Sequence, residues 1–180
     1  PDQPEVRAEL AEFYQSVSRL DHGVGLIMQV LRDTKKLDNT LVIFVSDNGI
    51  PFPGAKTTLY DAGVHLPMIV RSSEQKKRGT VCDAMVSFTD LAPTILAWAK
   101  AAQPKEMLGR SMLELLDVEK STGWDVVYGS HQFHEITMYY PMRFVRTRTH
   151  KYLLNIAHPL SYPFASDLYH SDSWQGILKR

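Results

Sequence analysis

A chain of 180 residues that is 44% hydrophobic has the material for a folded core, which excludes disorder as its organising state. Twenty Lys and Arg balance twenty Asp and Glu, so no net field draws the protein to nucleic acid or to an acidic membrane surface, and neither is expected as a partner. The single cysteine, Cys82, excludes an internal disulfide and, with its apolar neighbours, reads as a core thiol.

No run approaches the roughly 18 apolar residues of a membrane span. The opening Pro-Asp-Gln-Pro-Glu resembles no signal peptide and reads as an excised piece or a loop, so the true N-terminus is expected elsewhere. From Val6 the apolar residues Leu10, Phe13, Val17, Leu20, Val24, Ile27 and Leu31 follow at alternating spacings of four and three. That period predicts an amphipathic helix with one buried face. Asp38-Asn39 breaks it, and Leu41 to Val45 is an unbroken, β-branched run, which predicts a strand covered on both faces as in a parallel sheet. A loop rich in Gly, Pro and Thr runs from Ser46 to about His65, and Met68 to Val70 predicts a second short strand.

Thr89 or Asp90 is positioned to cap a helix with Pro93 in its first turn and Leu91, Ile95, Leu96 and Trp98 on its apolar face. Ser111 opens another short helix through Leu116. Trp124 to Tyr128 reads as a strand, and Met142 to Val145 and Tyr152 to Ile156 read as two strands joined by a turn. The stretch after Pro159 has no clear period.

Asp47 and Asn48 set a carboxylate beside an amide carbonyl at the end of a predicted strand, both hard oxygen donors of the kind Ca²⁺ or Mg²⁺ accepts. An Asp-Asn-Gly turn also ends strands with no ligand role. Lys56 offers a compact charge to an oxyanion or is a solvated loop lysine. His65, His131 and His134 are candidate proton donors by type, with Glu135 beside the last; such residues are more often surface or hydrogen-bonded structural groups. The basic run Arg146 to Lys151 reads as a solvated hairpin face.

Taken in order, four segments resemble the sulfatase family: Tyr14 to Asp21 followed by Gly25, Asn39 to Gly49, Lys56 to Pro67, and Asp90 to Leu96. The stretch Gly129 to Arg143 is similar to the N-sulfoglucosamine sulfohydrolase branch. The resemblance implies an α/β, alkaline-phosphatase-like fold, with residues 1–104 finishing the large domain and 105–180 beginning a smaller antiparallel α+β domain. It implies hydrolysis of sulfuric ester or sulfamate bonds in sulfated saccharides, at N-sulfoglucosamine ends of heparan-type glycans. Family members bind one Ca²⁺ and oxidise the cysteine of a Cys-x-Pro-x-Arg motif to formylglycine, the nucleophile.

Carried onto this sequence, the resemblance assigns Asp47 and Asn48 to the metal, Lys56 to the sulfate, and His134, Glu135 and Arg143 to the substrate. Cys82 sits in Thr-Val-Cys-Asp-Ala, which is not the oxidation motif, so formylglycine is expected in residues preceding this chain, and the chain alone is expected to be inactive. A homodimer is compatible with the reading, and an exported, periplasmic or extracellular, or else lysosomal location is what the family implies. O-sulfate esterases, phosphatases or phosphodiesterases of the same superfamily, and a non-catalytic carbohydrate-binding homologue are the alternatives.

Overall fold

The computed structural model describes residues 2–135 and 138–179. Its longest element is helix α1, Pro4–Asp33, which starts with Pro in its first turn and ends at Thr34, whose backbone N–H returns to the Arg32 and Val30 carbonyls. The helix forms as its period demands, but the buried face expected of it is not realised, since no residue of α1 is fully buried. Its first third packs on helix α5, Asp172–Leu178. There Gly176 lies so close to Glu5 that an added Cβ would sit 2.9 Å from the Glu5 Cβ, and the Ser173 N–H donates to Glu9 over 2.9 Å. Phe13 sets its ring edge-on to Phe52, centroids 5.9 Å apart. Farther along, Leu20, Leu26, Ile27 and Val30 are each more than half exposed.

Strand β1, Val42–Val45, pairs with β2, Met68–Arg71, in register Val42 opposite Arg71 to Val45 opposite Met68. The pairing is antiparallel, which corrects the parallel sheet expected of this run. The physical reason is the loop between them, which turns the chain straight back alongside β1, so the Ser46 N–H continues the ladder onto the Pro67 carbonyl at 3.3 Å. Helix α2, Asp61–Val64, is a single turn inside that loop.

Helix α3, Leu91–Trp98, is preceded by a short 3₁₀ turn over Phe88–Asp90. Asp90 stands at the N-cap position of α3, one of the two positions expected, without a side-chain cap bond to that helix, and Ser87 caps the 3₁₀ turn before it: the Ser87 backbone N–H donates to the Asp90 carboxylate over 2.8 Å, closing a capping box. The other Asp90 oxygen accepts the Arg110 N–H at 2.9 Å, and the fully buried Thr94 hydroxyl accepts the Met112 N–H at 2.9 Å. These bonds tie α3 to the residues after 104. The segment opened by Ser111 is a 3₁₀ turn, Leu113–Leu115.

A second antiparallel sheet runs in the order β3, Val126–His131; β4, Met142–Thr147; β5, Lys151–Asn155. Trp124, 2% exposed, anchors its start, with the indole N–H on Glu114 at 2.8 Å and the Arg110 guanidinium 3.6 Å over its ring. Met138, Ala165 and Leu168 form a small core that meets Phe164, which stacks on Trp174. Helix α4, Ser166–Tyr169, follows from that core and presents Asp167.

Two expectations about side chains are corrected here. Cys82 is only half-buried, beside a Val81 that is almost wholly exposed, so it is not a core thiol. The basic hairpin is not a solvated face, because its charges find partners across the fold. Lys151 and Arg146 both pair with Asp61 of α2, at 2.9 and 3.3 Å, and Arg148 pairs with Asp83 and Asp125.

Candidate functional site

The site grows from the end of β1. The Ser46 hydroxyl donates to the Asn48 carbonyl at 2.8 Å, and the Asn48 amide nitrogen donates to the Gly49 carbonyl at 2.8 Å, which fixes a tight turn. Both bonds leave the Asn48 side-chain oxygen free. The Asp47 carboxylate is exposed and carries no hydrogen bond or ion pair among the described residues.

The turn is held in place by a close approach of glycines. A Cβ on Gly49 would stand 2.3 Å from the Ala62 carbonyl oxygen, and one on Gly63 would stand 2.3 Å from the Thr58 carbonyl oxygen. The loop then folds back on itself, as the Ile50 carbonyl accepts the N–H groups of Phe52 and Lys56 at 2.7 and 3.1 Å. Buried Ala55 and Leu59 pin it on either side of Lys56. Thr57 sits at φ 68°, a left-handed conformation that a β-branched residue adopts only when its surroundings impose it. The Tyr162 hydroxyl holds that conformation by donating to the Thr57 carbonyl over 3.1 Å.

Lys56 therefore points where the loop sends it. Its Nζ donates to Oδ2 of Asp167, a residue distant in sequence on α4, and its side chain is only 20% exposed. The second Asp167 oxygen accepts the Leu168 N–H at 2.9 Å and lies 3.9 Å from Nε2 of His134. Glu135 is engaged beside it, with Oε1 accepting the Ser166 hydroxyl at 2.6 Å and the Ser166 N–H at 3.0 Å. The Lys56 ammonium, more than any other neighbour, holds the Asp167 carboxyl below the usual carboxylate range. The Ser166 hydroxyl does the same for Glu135. Both acids are thus anionic at neutral pH.

A cavity of about 1350 Å³ is bordered by Asp47, Asn48, Lys56, His65, His131 and His134. The structure thus gathers both expected metal donors, the expected sulfate contact and one expected substrate contact around one space. Glu135 adjoins it behind His134 and does not border it. Arg143 is not brought in. It lies on β4 between Ser130 and Leu154, exposed on the face opposite to Phe144 and Arg146, which do border the cavity. Of the stretch similar to one sulfatase branch, Ile136 and Thr137 lie outside the described residues.

Two places offer metal-ligating atoms. Asp47 and Asn48 supply uncommitted hard oxygens, two from the carboxylate and one from the amide, of the kind Ca²⁺ takes in sets of about six to eight, so they fit part of such a site. His134, Glu135 and Asp167 offer one atom each, all within 4.8 Å of one another. In that cluster the Lys56 ammonium already neutralises Asp167, and Ser166 already occupies one Glu135 oxygen, so an added cation would meet a fixed positive charge.

Sequence reasoning missed Asp167, Asp61 and Tyr162. Asp167 falls in a stretch without period and meets Lys56 across most of the chain, and no local signal marks a partner at that separation.

The family model described as Sulfatase matches residues 1–101, and that described as N-sulphoglucosamine sulphohydrolase, C-terminal, matches residues 55–165. Human N-sulphoglucosamine sulphohydrolase is 44% identical over the whole of this chain, which spans 38% of the human protein's length. An N-acetylglucosamine-6-O-sulfatase of Bacteroides thetaiotaomicron is 28% identical over 64% of the chain, covering 22% of that protein. Among solved structures, BT4656 in complex with its substrate D-glucosamine-2-N, 6-O-disulfate superposes with a TM-score of 0.60 at 20% identity, over 91% of this chain and 37% of that one, a likeness of fold. With more than half its length matched by the first family model and all of it aligned to the human relative, the chain belongs to the sulfatase family.

Proposed function

We propose that the full-length protein hydrolyses sulfated saccharides, releasing sulfate from the N-sulfoglucosamine end of a heparan-type chain. The observation that carries this reading is the meeting of Asp47, Asn48 and Lys56 around one cavity, built by a loop whose course the Gly49 and Gly63 contacts fix. The match of residues 55–165 to the N-sulphoglucosamine sulphohydrolase model, and the 44% identity to the human protein of that name, support the N-sulfated sugar as substrate.

The chemistry follows from the groups present. A sulfuryl group in transfer concentrates negative charge on its oxygens, and a fixed ammonium stabilises that distribution more than it stabilises the bound substrate. Lys56 supplies the ammonium. Asp47 and Asn48 would hold one Ca²⁺, which would supply further positive charge to the same oxygens. His134 at the cavity wall meets the sugar or the sulfamate nitrogen, and Glu135 behind it holds that wall through Ser166. Membership of the sulfatase family supports a formylglycine as the nucleophile, and Cys82, in its Thr-Val-Cys-Asp-Ala context, is not its source because it lacks the oxidation motif.

The test is an assay of the full-length protein on N-sulfated and 6-O-sulfated glucosamine. Preferential release of sulfate from the N-sulfated sugar is expected. Preference for the 6-O-ester would replace the reading with an O-sulfate esterase, and binding without turnover of either would replace it with a carbohydrate-binding homologue.

A further inference from the structure

We infer that Asp167 is the positioning residue for Lys56: it stands behind the cavity wall, holds the ammonium in one direction, and leaves its remaining N–H donors facing the cavity. The inference rests on the sulfate-binding role proposed above for Lys56.

Three observations point to it. Asp167 does not border the cavity, whereas Lys56 and His134, the two side chains that pair with its carboxylate, both do. The carboxylate is itself oriented, since the Leu168 N–H fixes Oδ1 at 2.9 Å and thereby presents Oδ2 to Lys56. The loop on the other side of Lys56 is held in a strained left-handed conformation at Thr57 by Tyr162, which comes from the same C-terminal stretch as Asp167. The C-terminal stretch therefore grips the loop at two adjacent residues, once through its backbone and once through the Lys56 side chain.

An ammonium on a four-carbon stem has many rotamers, and one that must meet a developing oxyanion gains from being confined before substrate arrives. Asp167 takes one of its three N–H donors. Two remain for sulfuryl oxygens, and the stem is already ordered. An ordinary surface ion pair would not be expected to matter, because exposed pairs contribute little. Here the lysine is mostly buried at a cavity wall, and its partner is mainly a means of aiming it.

The test uses the full-length enzyme and N-sulfated glucosamine, with Asp167→Asn, Asp167→Ala, Asp167→Glu and Lys56→Ala, and the double variant Lys56→Ala with Asp167→Ala. Asp167→Ala should lower kcat/KM by roughly ten- to hundredfold, mainly through kcat, as expected for a displaced catalytic group. Asp167→Asn is close in shape and still accepts one hydrogen bond, so it should fall between Ala and wild type, and Asp167→Glu should recover part of the loss. The double variant should match Lys56→Ala within about twofold, since a residue that acts only through Lys56 has nothing to do once Lys56 is gone. Wild-type kinetics in both Asp167→Asn and Asp167→Ala, with Lys56→Ala impaired, would overturn the inference while leaving the role of Lys56 intact. A full additional loss in the double variant would also overturn it, placing Asp167 in the fold or on His134 instead. Wild-type kinetics in Lys56→Ala would remove the role of Lys56, and the inference with it.

Discussion

Gly49 and Gly63 touch backbone to backbone: a Cβ built on Gly49 would lie 2.7 Å from the Gly63 Cα and 2.3 Å from the Ala62 carbonyl oxygen. Neither glycine has a positive φ, so space alone selects them. The contact sets the distance between the turn that bears Asp47 and Asn48 and the loop that bears Lys56. Gly49→Ala should therefore force backbone apart, with a cost of about 1–3 kcal/mol, typical of overpacking. Denaturant titration of the full-length protein checks this, and an unchanged midpoint would show that the loop yields freely.

The metal assignment makes Asp47 the larger contributor, as the only charged donor of the pair. Asp47→Ala in the full-length protein should lose calcium and nearly all turnover, while Asn48→Ala, which removes a neutral carbonyl, should weaken calcium binding less. Isothermal titration with Ca²⁺ reads both. Unchanged affinity in Asp47→Ala would move the metal away from this turn.

Lys56→Ala should lower kcat/KM by roughly 10² to 10³, the scale of losing one preorganised oxyanion donor. Lys56→Arg should keep far more activity, because a guanidinium restores the charge and can still meet the Asp167 carboxylate. Steady-state kinetics on an N-sulfated substrate separates the two variants, and equal activity in both would show that charge at this position is irrelevant.

Asp83 joins the basic hairpin to the rest of the chain. The Ser121 N–H, reinforced by the Ser121 hydroxyl and Arg148, lowers its pKa from 3.8 to about 2. A carboxyl depressed in the folded state adds stability that is complete above its unfolded value and is lost as pH falls through its folded one. The contribution of Asp83 is therefore expected to be full near neutrality and to fade between about pH 4 and pH 2. Wild type should be more stable than Asp83→Asn near neutral pH, and the two denaturation midpoints should converge as pH approaches 2. A gap that persists at the acid end would assign the effect to shape rather than charge.

Much of this protein was determined by its sequence alone, wherever the governing interactions are local. The three-and-four spacing from Val6 to Leu31 makes α1, β-branched runs make β1 and β2, and Asp47, Asn48 and Lys56 lie close enough along the chain for one folded loop to bring them to one cavity. What the sequence left open depends on residues far apart in the chain. Period two places Arg143 and Phe144 on opposite faces of β4 without saying which face meets a cavity, and the packed sheet decided that Phe144 does. Hydrophobic period says that α1 has an apolar side but not what covers it, and in this chain its middle is left exposed. The partners of Lys56 and Lys151 are Asp167 and Asp61, carboxylates supplied by a distant α4 and α2. A charged side chain carries no local mark of its mate, because an ion pair needs only that two groups arrive at the same place. That arrival is a property of the tertiary fold.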